Sequence, residues 1–150
     1  MKKEPVSMIM SYHIQTVSPQ NSLWEVHESM EKHHIRHIPV IEEDEVVGII
    51  SRTDLMRVNY GNLNRTEIMG KSLGLTQEQV KENIKCLQTL QVKAVMSPKP
   101  YTISPSTSIH DAAEILVEHE FSALPVVENG KIVGMLTSTD LIRFLLSKAK

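Results

Sequence analysis

The chain has 150 residues, of which 41% are hydrophobic and 23% charged, and its net charge is −2 at pH 7. This length predicts one compact domain or two small intertwined ones, and the weakly acidic charge argues against nucleic acid or an anionic membrane as a partner. Because the sequence has no apolar run of about 18 residues, no apolar stretch behind its charged start and a single cysteine, we expect a cytoplasmic protein without a membrane span, a signal peptide or an internal disulfide.

Two parts of the sequence repeat each other at an offset of 86 residues, which separates Gly48 from Gly134 and Asp54 from Asp140. The same offset links three further blocks: residue 10 with 96, residues 16–19 with 102–105, and residues 38–40 with 124–126. A register held over four blocks predicts two copies of one supersecondary unit. We place the first copy at residues 1–58, a partly helical insert at 59–90 and the second copy at 91–150.

Each copy is predicted to begin with a short strand and a helix. In the first copy, residues 14–17 are apolar enough for a strand that ends at a Ser-Pro pair. A serine with an acidic residue three positions later then indicates a capping box, as in Ser22 with Glu25 and in Ser108 with Asp111. Apolar residues at helical spacing follow both caps and predict a helix of about three turns.

Two further strands are predicted from apolar runs at residues 38–41 and 46–50, which are separated by four acidic residues. In the second copy the corresponding link contains Asn129 and Gly130, the strongest short signal for a β-hairpin, because both residues tolerate a positive φ. The first copy lacks this glycine, so we expect its turn to be looser.

A second helix follows the strand pair in each copy. Thr53 and Thr139 occupy the positions where we expect its N-cap, and Asp54 and Asp140 then lie in the first turn, where the helix dipole favours a carboxylate. The complete unit is therefore strand, helix, strand, strand, helix, and the predicted fold class is α+β.

The insert is predicted to contain one amphipathic helix. Residues 59–62 have the composition of a loop, and Thr76 with Gln79 indicates another capping box. Apolar residues at spacings of three and four then continue to Leu90 and predict the helix. Residues 65–75 are compatible with either a helix or a loop.

These blocks resemble the cystathionine-β-synthase (CBS) domain, and the pair resembles a Bateman module. The resemblance covers about residues 5–58 and 91–146, and it rests on an apolar-Pro-Val strand and a Gly-x-x-Ser/Thr-x-x-Asp motif in each copy. It implies two pseudo-twofold-related CBS repeats with clefts between them, in which many members of the family bind adenosyl compounds. The resemblance is to a free-standing regulatory pair that forms a homodimer and acts on an unidentified protein partner.

The resemblance implies a nucleotide site in each copy. The candidate ligands are AMP, ADP, ATP, NAD and S-adenosylmethionine, and no other cofactor is expected. An aspartate at a helix start can accept hydrogen bonds from both ribose hydroxyls, and apolar side chains with a few polar groups suit the adenine ring. The candidate residues are Thr16, Val17, Pro19, Arg36, His37, Ile38, Pro39, Ser51, Arg52 and Asp54 in the first copy, and Thr102, Ile103, Pro105, Leu124, Pro125, Thr137, Thr139 and Asp140 in the second.

The two copies differ in charge where a phosphate is expected. Arg36, His37 and Arg52 of the first copy have small uncharged counterparts in the second. Because basic side chains form strong hydrogen bonds to phosphate, we expect these three residues to favour a ligand with an anionic tail at one of the two sites.

The same residues also allow interpretations other than a nucleotide site. Asp54 and Asp140 can serve only their own helices, and the chain can be a ligand-free interaction or dimerisation scaffold. These two alternatives stay open from the sequence. The cluster of histidines near His33 and His37 lacks the cysteine or acidic partner of a zinc site, and the Ser and Asp of the motif have no local histidine as a base. We therefore predict neither a metal site nor catalytic activity.

Overall fold

The computed structural model describes residues 4–60 and 76–149. These residues form the helices α1 (Leu23–His33), α2 (Arg52–Tyr60), α3 (Gln77–Thr89), α4 (Ile109–Glu118) and α5 (Ser138–Lys148), and the strands β1 (His37–Glu42), β2 (Glu45–Ser51), β3 (Ser97–Pro98), β4 (Ala123–Glu128) and β5 (Lys131–Thr137). The element order confirms the predicted α+β class. No helix in the described part of the chain has both the length and the apolar character needed to cross a membrane.

The chain divides into two compact units that do not follow chain order. The first-repeat unit contains Thr16–Val40 and Gly48–Pro98, and the second-repeat unit contains Met1–Gln15, Ile41–Val47 and Lys99–Lys150. Residues 1–15, at the start of the first copy, therefore belong to the second-repeat unit. Residues 91–98, at the start of the second copy, likewise belong to the first-repeat unit. The boundaries at residues 58 and 90 remain a prediction about the sequence repeat.

Helix α1 of the first-repeat unit starts at the predicted capping box. The Glu25 carboxylate accepts a hydrogen bond from the Ser22 N–H at 2.7 Å, and the Ser22 hydroxyl oxygen accepts one from the Glu25 N–H at 3.2 Å. The helix then buries Leu23, Val26 and Met30, which share one face because their spacing is three and four. Local capping and apolar periodicity together account for this helix.

The insert helix α3 is confirmed, and it packs against α1 and α2 within the first-repeat unit. It begins with the predicted capping box of Thr76 and Gln79 and buries Leu87. The loop predicted at residues 59–62 is wrong at its start, because residues 59 and 60 belong to α2. Residues 61–75, which include the segment of ambiguous structure at 65–75, lie outside the described residues.

Both hairpin turns have the same backbone geometry. Asn129 and Gly130 have φ values of 51° and 77°, and Glu43 and Asp44 have φ values of 49° and 66°. The looser turn predicted for the first copy is therefore wrong. A two-residue turn with positive φ at both central residues matches the twist of its strands, so the strand pairing imposes this geometry even on a glutamate.

The second-repeat unit contains a core formed by eight buried residues, namely Val6, Met10, Ile103, Ala112, Leu116, Leu124, Val126 and Leu136. Val6 and Met10 come from the N-terminal segment. This segment is held by a backbone hydrogen bond from Val6 N–H to the Thr107 carbonyl at 2.8 Å, and by another from Ile109 N–H to the Glu4 carbonyl at 2.8 Å. The N-terminal segment is therefore an integral part of this unit.

The strand predicted at residues 14–17 is wrong, because only Val17 pairs, in an isolated parallel bridge with Val40. The Val17 N–H donates to the Pro39 carbonyl at 3.2 Å. In a parallel ladder the next bond toward the N-terminus would need an N–H on Pro39, and proline has none. The bridge of Ile103 with Val126 in the second copy is limited in the same way by Pro125, the residue before Val126 in β4.

Gly48 and Gly134 each lie beneath a methionine from the start of the other copy. A Cβ atom on Gly134 would lie 2.7 Å from the Met10 Sδ and 3.0 Å from the Ser11 carbonyl oxygen, and one on Gly48 would lie 2.5 Å from the Met96 Sδ. Only glycine allows so close an approach. The repeated Gly and Met are therefore two parts of the same contact.

Candidate functional site

Asp140 is part of a capping box at the start of α5. The Thr137 hydroxyl oxygen accepts from the Asp140 N–H at 3.3 Å, while Asp140 Oδ2 accepts from the Thr137 N–H at 2.8 Å and from its hydroxyl at 2.7 Å. Ser51 and Asp54 repeat this arrangement at α2, with corresponding distances of 3.2, 2.8 and 2.8 Å. Each candidate site therefore has its own aspartate, whose carboxylate is fixed by the N–H and the hydroxyl of the cap residue three positions earlier.

The N-caps predicted at Thr53 and Thr139 are wrong. Both threonines are exposed and lie inside the first turn, since the helices begin one residue earlier, at Arg52 and Ser138. An N-cap hydroxyl bonds to the N–H two or three residues later. The Ser/Thr-x-x-Asp spacing thus identifies Ser51 and Thr137 as the caps, by the same rule that located Ser22.

The second carboxylate oxygen of each aspartate is held less tightly. Oδ1 of Asp54 lies 3.6 Å from Arg57 Nη1, and Oδ1 of Asp140 lies 3.8 Å from Arg143 Nη1. These distances exceed those of a hydrogen bond, and the two arginine side chains are 77% and 76% exposed, so the ion pairs are weak. Each Oδ1 therefore keeps the capacity to accept hydrogen bonds from ligand hydroxyls.

The backbone groups of Thr16 with Val17, and of Thr102 with Ile103, are candidates to meet the edge of an adenine ring, and some of them are used by the fold instead. The Val17 N–H donates to the Pro39 carbonyl, and the Ile103 N–H donates to the Pro125 carbonyl at 3.1 Å. Within each pair of candidates, the backbone of Thr16 or Thr102 is therefore better suited to contact a ligand. Both threonines are exposed.

The apolar candidates are mostly core residues. Ile38 is 0% and Leu124 1% exposed, and Leu124 belongs to the core cluster of the second-repeat unit. Pro19, Pro39 and Pro125 are also buried, whereas Pro105 is half-buried. These side chains shape the site mainly by fixing the strand and loop that carry it.

The basic residues of the first copy lie near Asp54 but differ in availability. Arg52 is paired with Glu31 of α1, and its N–H donates to the Arg36 carbonyl at 2.9 Å. Burial lowers the pKa of the His37 imidazole, Asp54 opposes this shift and Arg36 adds to it, so the ring is favoured in its neutral form. The exposed Arg36 is thus the cation best placed to meet an anionic ligand.

The second-repeat unit contains an aromatic cluster that was not predicted from the sequence. The His119 ring lies 5.3 Å from the Tyr101 ring and 5.2 Å from the Phe121 ring, measured between centroids. Tyr101 directly precedes the candidate Thr102, and Phe121 directly precedes Ser122, the counterpart of Arg36. The sequence shows that Tyr101 and Phe121 adjoin candidate residues, but it does not show that their rings meet at His119.

Among the described residues, His110, Asp111 and Glu114 bring possible metal-ligand atoms within 4.8 Å of one another. They lie in the first turns of α4, where the helix dipole disfavours a cation, and none of them is buried. We assign no metal to this group, which is separate from the histidines considered in the sequence.

Comparison with known proteins identifies the repeated unit. The family model described as CBS domain matches residues 6–61 and 92–147. CBSX1, a chloroplastic CBS domain-containing protein of Arabidopsis thaliana, is 32% identical over 140 residues, which are 89% of this chain and 59% of CBSX1. MJ1426 of Methanocaldococcus jannaschii is 30% identical over 142 residues, which are 87% of this chain and 84% of that protein.

A solved structure has the same fold. The crystal structure of CBSX2 from Arabidopsis thaliana in complex with AMP aligns with a TM-score of 0.76 at 25% identity, covering 98% of this chain and 99% of that chain. The two matches of the family model cover most of the sequence, and they stand at the same offset as the two capping-box aspartates. The chain therefore belongs to the CBS domain family and carries two CBS domains in tandem.

Proposed function

We propose that the chain is a non-catalytic regulatory module that binds adenine nucleotides or other adenosyl compounds. The observation that carries the proposal is the repeated carboxylate, in which Oδ2 is fixed by the cap residue and Oδ1 has no hydrogen bond from its neighbouring arginine. A fixed, mostly buried acceptor suits the two vicinal hydroxyls of a ribose, since hydrogen bonds to a charged acceptor are strong.

The chemistry around each aspartate supports a nucleoside ligand. Thr16 and Thr102 supply exposed backbone and hydroxyl groups beside each parallel bridge, and Ser51 and Thr137 supply the cap hydroxyls. CBSX2, which shares the fold at 25% identity, was crystallised with AMP. AMP, ADP, ATP, NAD and S-adenosylmethionine share the adenosine that such a site would recognise.

Thermal unfolding with each of these ligands tests the proposal. A ligand that binds only the folded state adds about 2.7 kcal/mol at a free concentration of 100 times its Kd, so at least one compound should raise the midpoint. If none of them does, the chain acts as a ligand-free interaction scaffold. Analysis of the ATP sample for hydrolysis products tests the absence of catalysis, because turnover would show an enzyme.

We also propose that the chain forms a homodimer, with α5 at the interface. No residue of α5 is buried, and Ile142, Leu145 and Leu146 are 55%, 65% and 64% exposed along one stripe. An apolar stripe of this kind is typical of a protein interface. Sedimentation equilibrium should give a dimer mass that Leu145→Glu shifts toward the monomer, and a monomer mass for the unchanged chain would exclude the homodimer. If no ligand binds, this exposed apolar surface supports the alternative function, a ligand-free interaction scaffold.

Arg36→Ala should weaken binding of AMP and ATP by about five- to tenfold and leave adenosine binding nearly unchanged. An exposed charge-assisted hydrogen bond contributes about 1 kcal/mol, and only the phosphorylated ligands would lose it. Isothermal titration with the three ligands measures the difference. Lys85→Ala removes an exposed cation from α3 and is the matched control. Equal weakening of all three ligands by Arg36→Ala would contradict a phosphate contact.

A further inference from the structure

The aromatic cluster of Tyr101, His119 and Phe121 presents an open ring surface in the second-repeat unit. The His119 and Phe121 rings are nearly parallel, with an interplanar angle of 14°, and the Tyr101 and His119 rings are tilted by 38°. Tyr101 and Phe121 remain 46% and 40% exposed. The three rings therefore pack against one another, and Tyr101 and Phe121 also have exposed surface that a further ring could contact.

Backbone pairing places Phe121 close to the cap of Asp140. Phe121 lies two residues before Ala123, which pairs with Thr137, the cap residue of α5. In addition, the Ser138 N–H donates to the Ser122 carbonyl at 3.0 Å. The chain at Phe121 therefore runs beside the start of α5, where the candidate carboxylate is fixed.

The parallel bridge brings Tyr101 to the same end of β4. Ile103 pairs with Val126 in parallel orientation, so the chain two residues before Ile103 lies level with the chain two residues before Val126, which is Leu124. Leu124 is the second residue of β4. The aromatic cluster, the backbone of Thr102 and the Asp140 capping box consequently share one end of this strand.

The first copy has no such cluster. The residues at the same repeat positions are Gln15, His33 and Ile35, so a single ring replaces three. The charges differ in the opposite sense, because Arg36 and Arg52 of the first copy are replaced in the second by Ser122 and Ser138. The second copy thus combines a ring surface with an aspartate and lacks these two arginines, while Arg143 beside Asp140 matches Arg57 beside Asp54 and does not distinguish the copies.

We infer that the aromatic cluster is the base-stacking surface of the site in the second-repeat unit, and that this site selects adenosyl compounds without a phosphate group. The inference rests on the proposed adenosyl-binding function and names the ligand class of one of its two sites. Aromatic side chains stack on nucleobases. The Asp140 carboxylate accepts hydrogen bonds from ribose hydroxyls, and the second copy disfavours a phosphate relative to the first because serines at positions 122 and 138 replace Arg36 and Arg52.

Fluorine NMR provides a direct test, because the chain has only two phenylalanines, Phe121 and Phe144. In protein labelled with 4-fluorophenylalanine, Phe144→Leu assigns the remaining resonance to Phe121. Adenosine should shift the Phe121 resonance through the ring current of the stacked base. The Phe144 resonance serves as the internal control. AMP should require a higher concentration than adenosine for the same shift of the Phe121 resonance.

Calorimetric titration with adenosine gives an independent measure. In an Asp54→Asn background, which weakens the first site, Phe121→Ala should reduce adenosine affinity by about five- to a hundredfold, the range found when an aromatic stacking partner is removed. Ile35→Ala in the same background changes the equivalent position of the first copy and should leave the remaining affinity unchanged.

The possible failures are distinguishable. If the chain binds adenosine while the Phe121 resonance stays fixed and Phe121→Ala binds normally, the stacking surface is excluded and the proposed function stands. If AMP shifts the Phe121 resonance at a lower concentration than adenosine, the ligand class is overturned. If neither adenosine nor any compound of the thermal unfolding series binds the unchanged chain, the proposed function fails and this inference fails with it.

Discussion

Replacing Asp54 or Asp140 by asparagine is expected to weaken adenosyl binding at the altered site by about ten- to a hundredfold, with little loss of stability. A hydrogen bond to a charged group contributes about 1.5–3 kcal/mol, which corresponds to this range of affinity. The asparagine carbonyl can still accept from the Ser51 or Thr137 N–H, so the helix cap is retained. Calorimetric titration of each variant, paired with urea unfolding, separates the two effects.

The matched control for this experiment is Glu25→Gln in α1. Glu25 occupies the same capping-box position and accepts from the N–H of its cap residue at 2.7 Å, but it is not a candidate site residue. Its replacement reports the cost of neutralising a capping carboxylate alone. If Glu25→Gln lowered ligand affinity as much as Asp54→Asn, or if both aspartate variants bound normally, the two aspartates would serve only their helices and the proposed ribose contact would be wrong.

Leu124→Ala is expected to lower the free energy of unfolding by about 2–5 kcal/mol, the usual cost of removing a buried leucine side chain. Leu124 is 1% exposed and lies in the core cluster with Leu116, Val126 and Leu136. Single domains unfold with about 5–15 kcal/mol, so the loss is a large part of the total. Urea unfolding at constant slope measures it directly.

This experiment also decides between two roles of Leu124. A leucine that formed an open wall for adenine would lose ligand affinity on truncation and leave unfolding nearly unchanged. A core residue shows the reverse order of effects. Leu124→Met conserves volume and should cost less than about 1.5 kcal/mol, which makes it the control. An unfolding energy for Leu124→Ala close to that of the unchanged chain would contradict the core assignment.

The sequence predicted those elements of the fold that depend on local chemistry. The helices begin where a cap residue and its partner stand three positions apart, as at Ser22 and Thr76. The prediction of a strand at residues 14–17 was wrong because the pairing depends on Pro39, which is remote in sequence and lacks an N–H. The prediction of a looser turn at Glu43 was wrong for a related reason, since the twist of the strands overrides the backbone preference of the turn residues.

The local geometry of the candidate site could be predicted from the sequence in the same way, whereas its tertiary contacts could not. The repeat register identified Asp54 and Asp140, and the spacing of the motif contained the correct caps. In contrast, the pairing of Arg52 with Glu31 joins residues that are 21 positions apart, and the lowered pKa of His37 arises mainly from burial. Both depend on tertiary packing, so neither could be read from a motif. They shift the expected phosphate contact toward Arg36.

The exchange of leading segments means that neither CBS copy can be excised as a continuous fragment. A piece comprising residues 91–150 would lose Val6 and Met10 from its interior and would carry a segment whose partners belong to the other unit. Gly134 would also be uncovered in this piece, because Met10 covers it in the full chain. A truncation series should therefore keep residues 1–15 together with the C-terminal half. This N-terminal segment completes a hydrophobic core whose other residues lie more than 80 positions later in the chain.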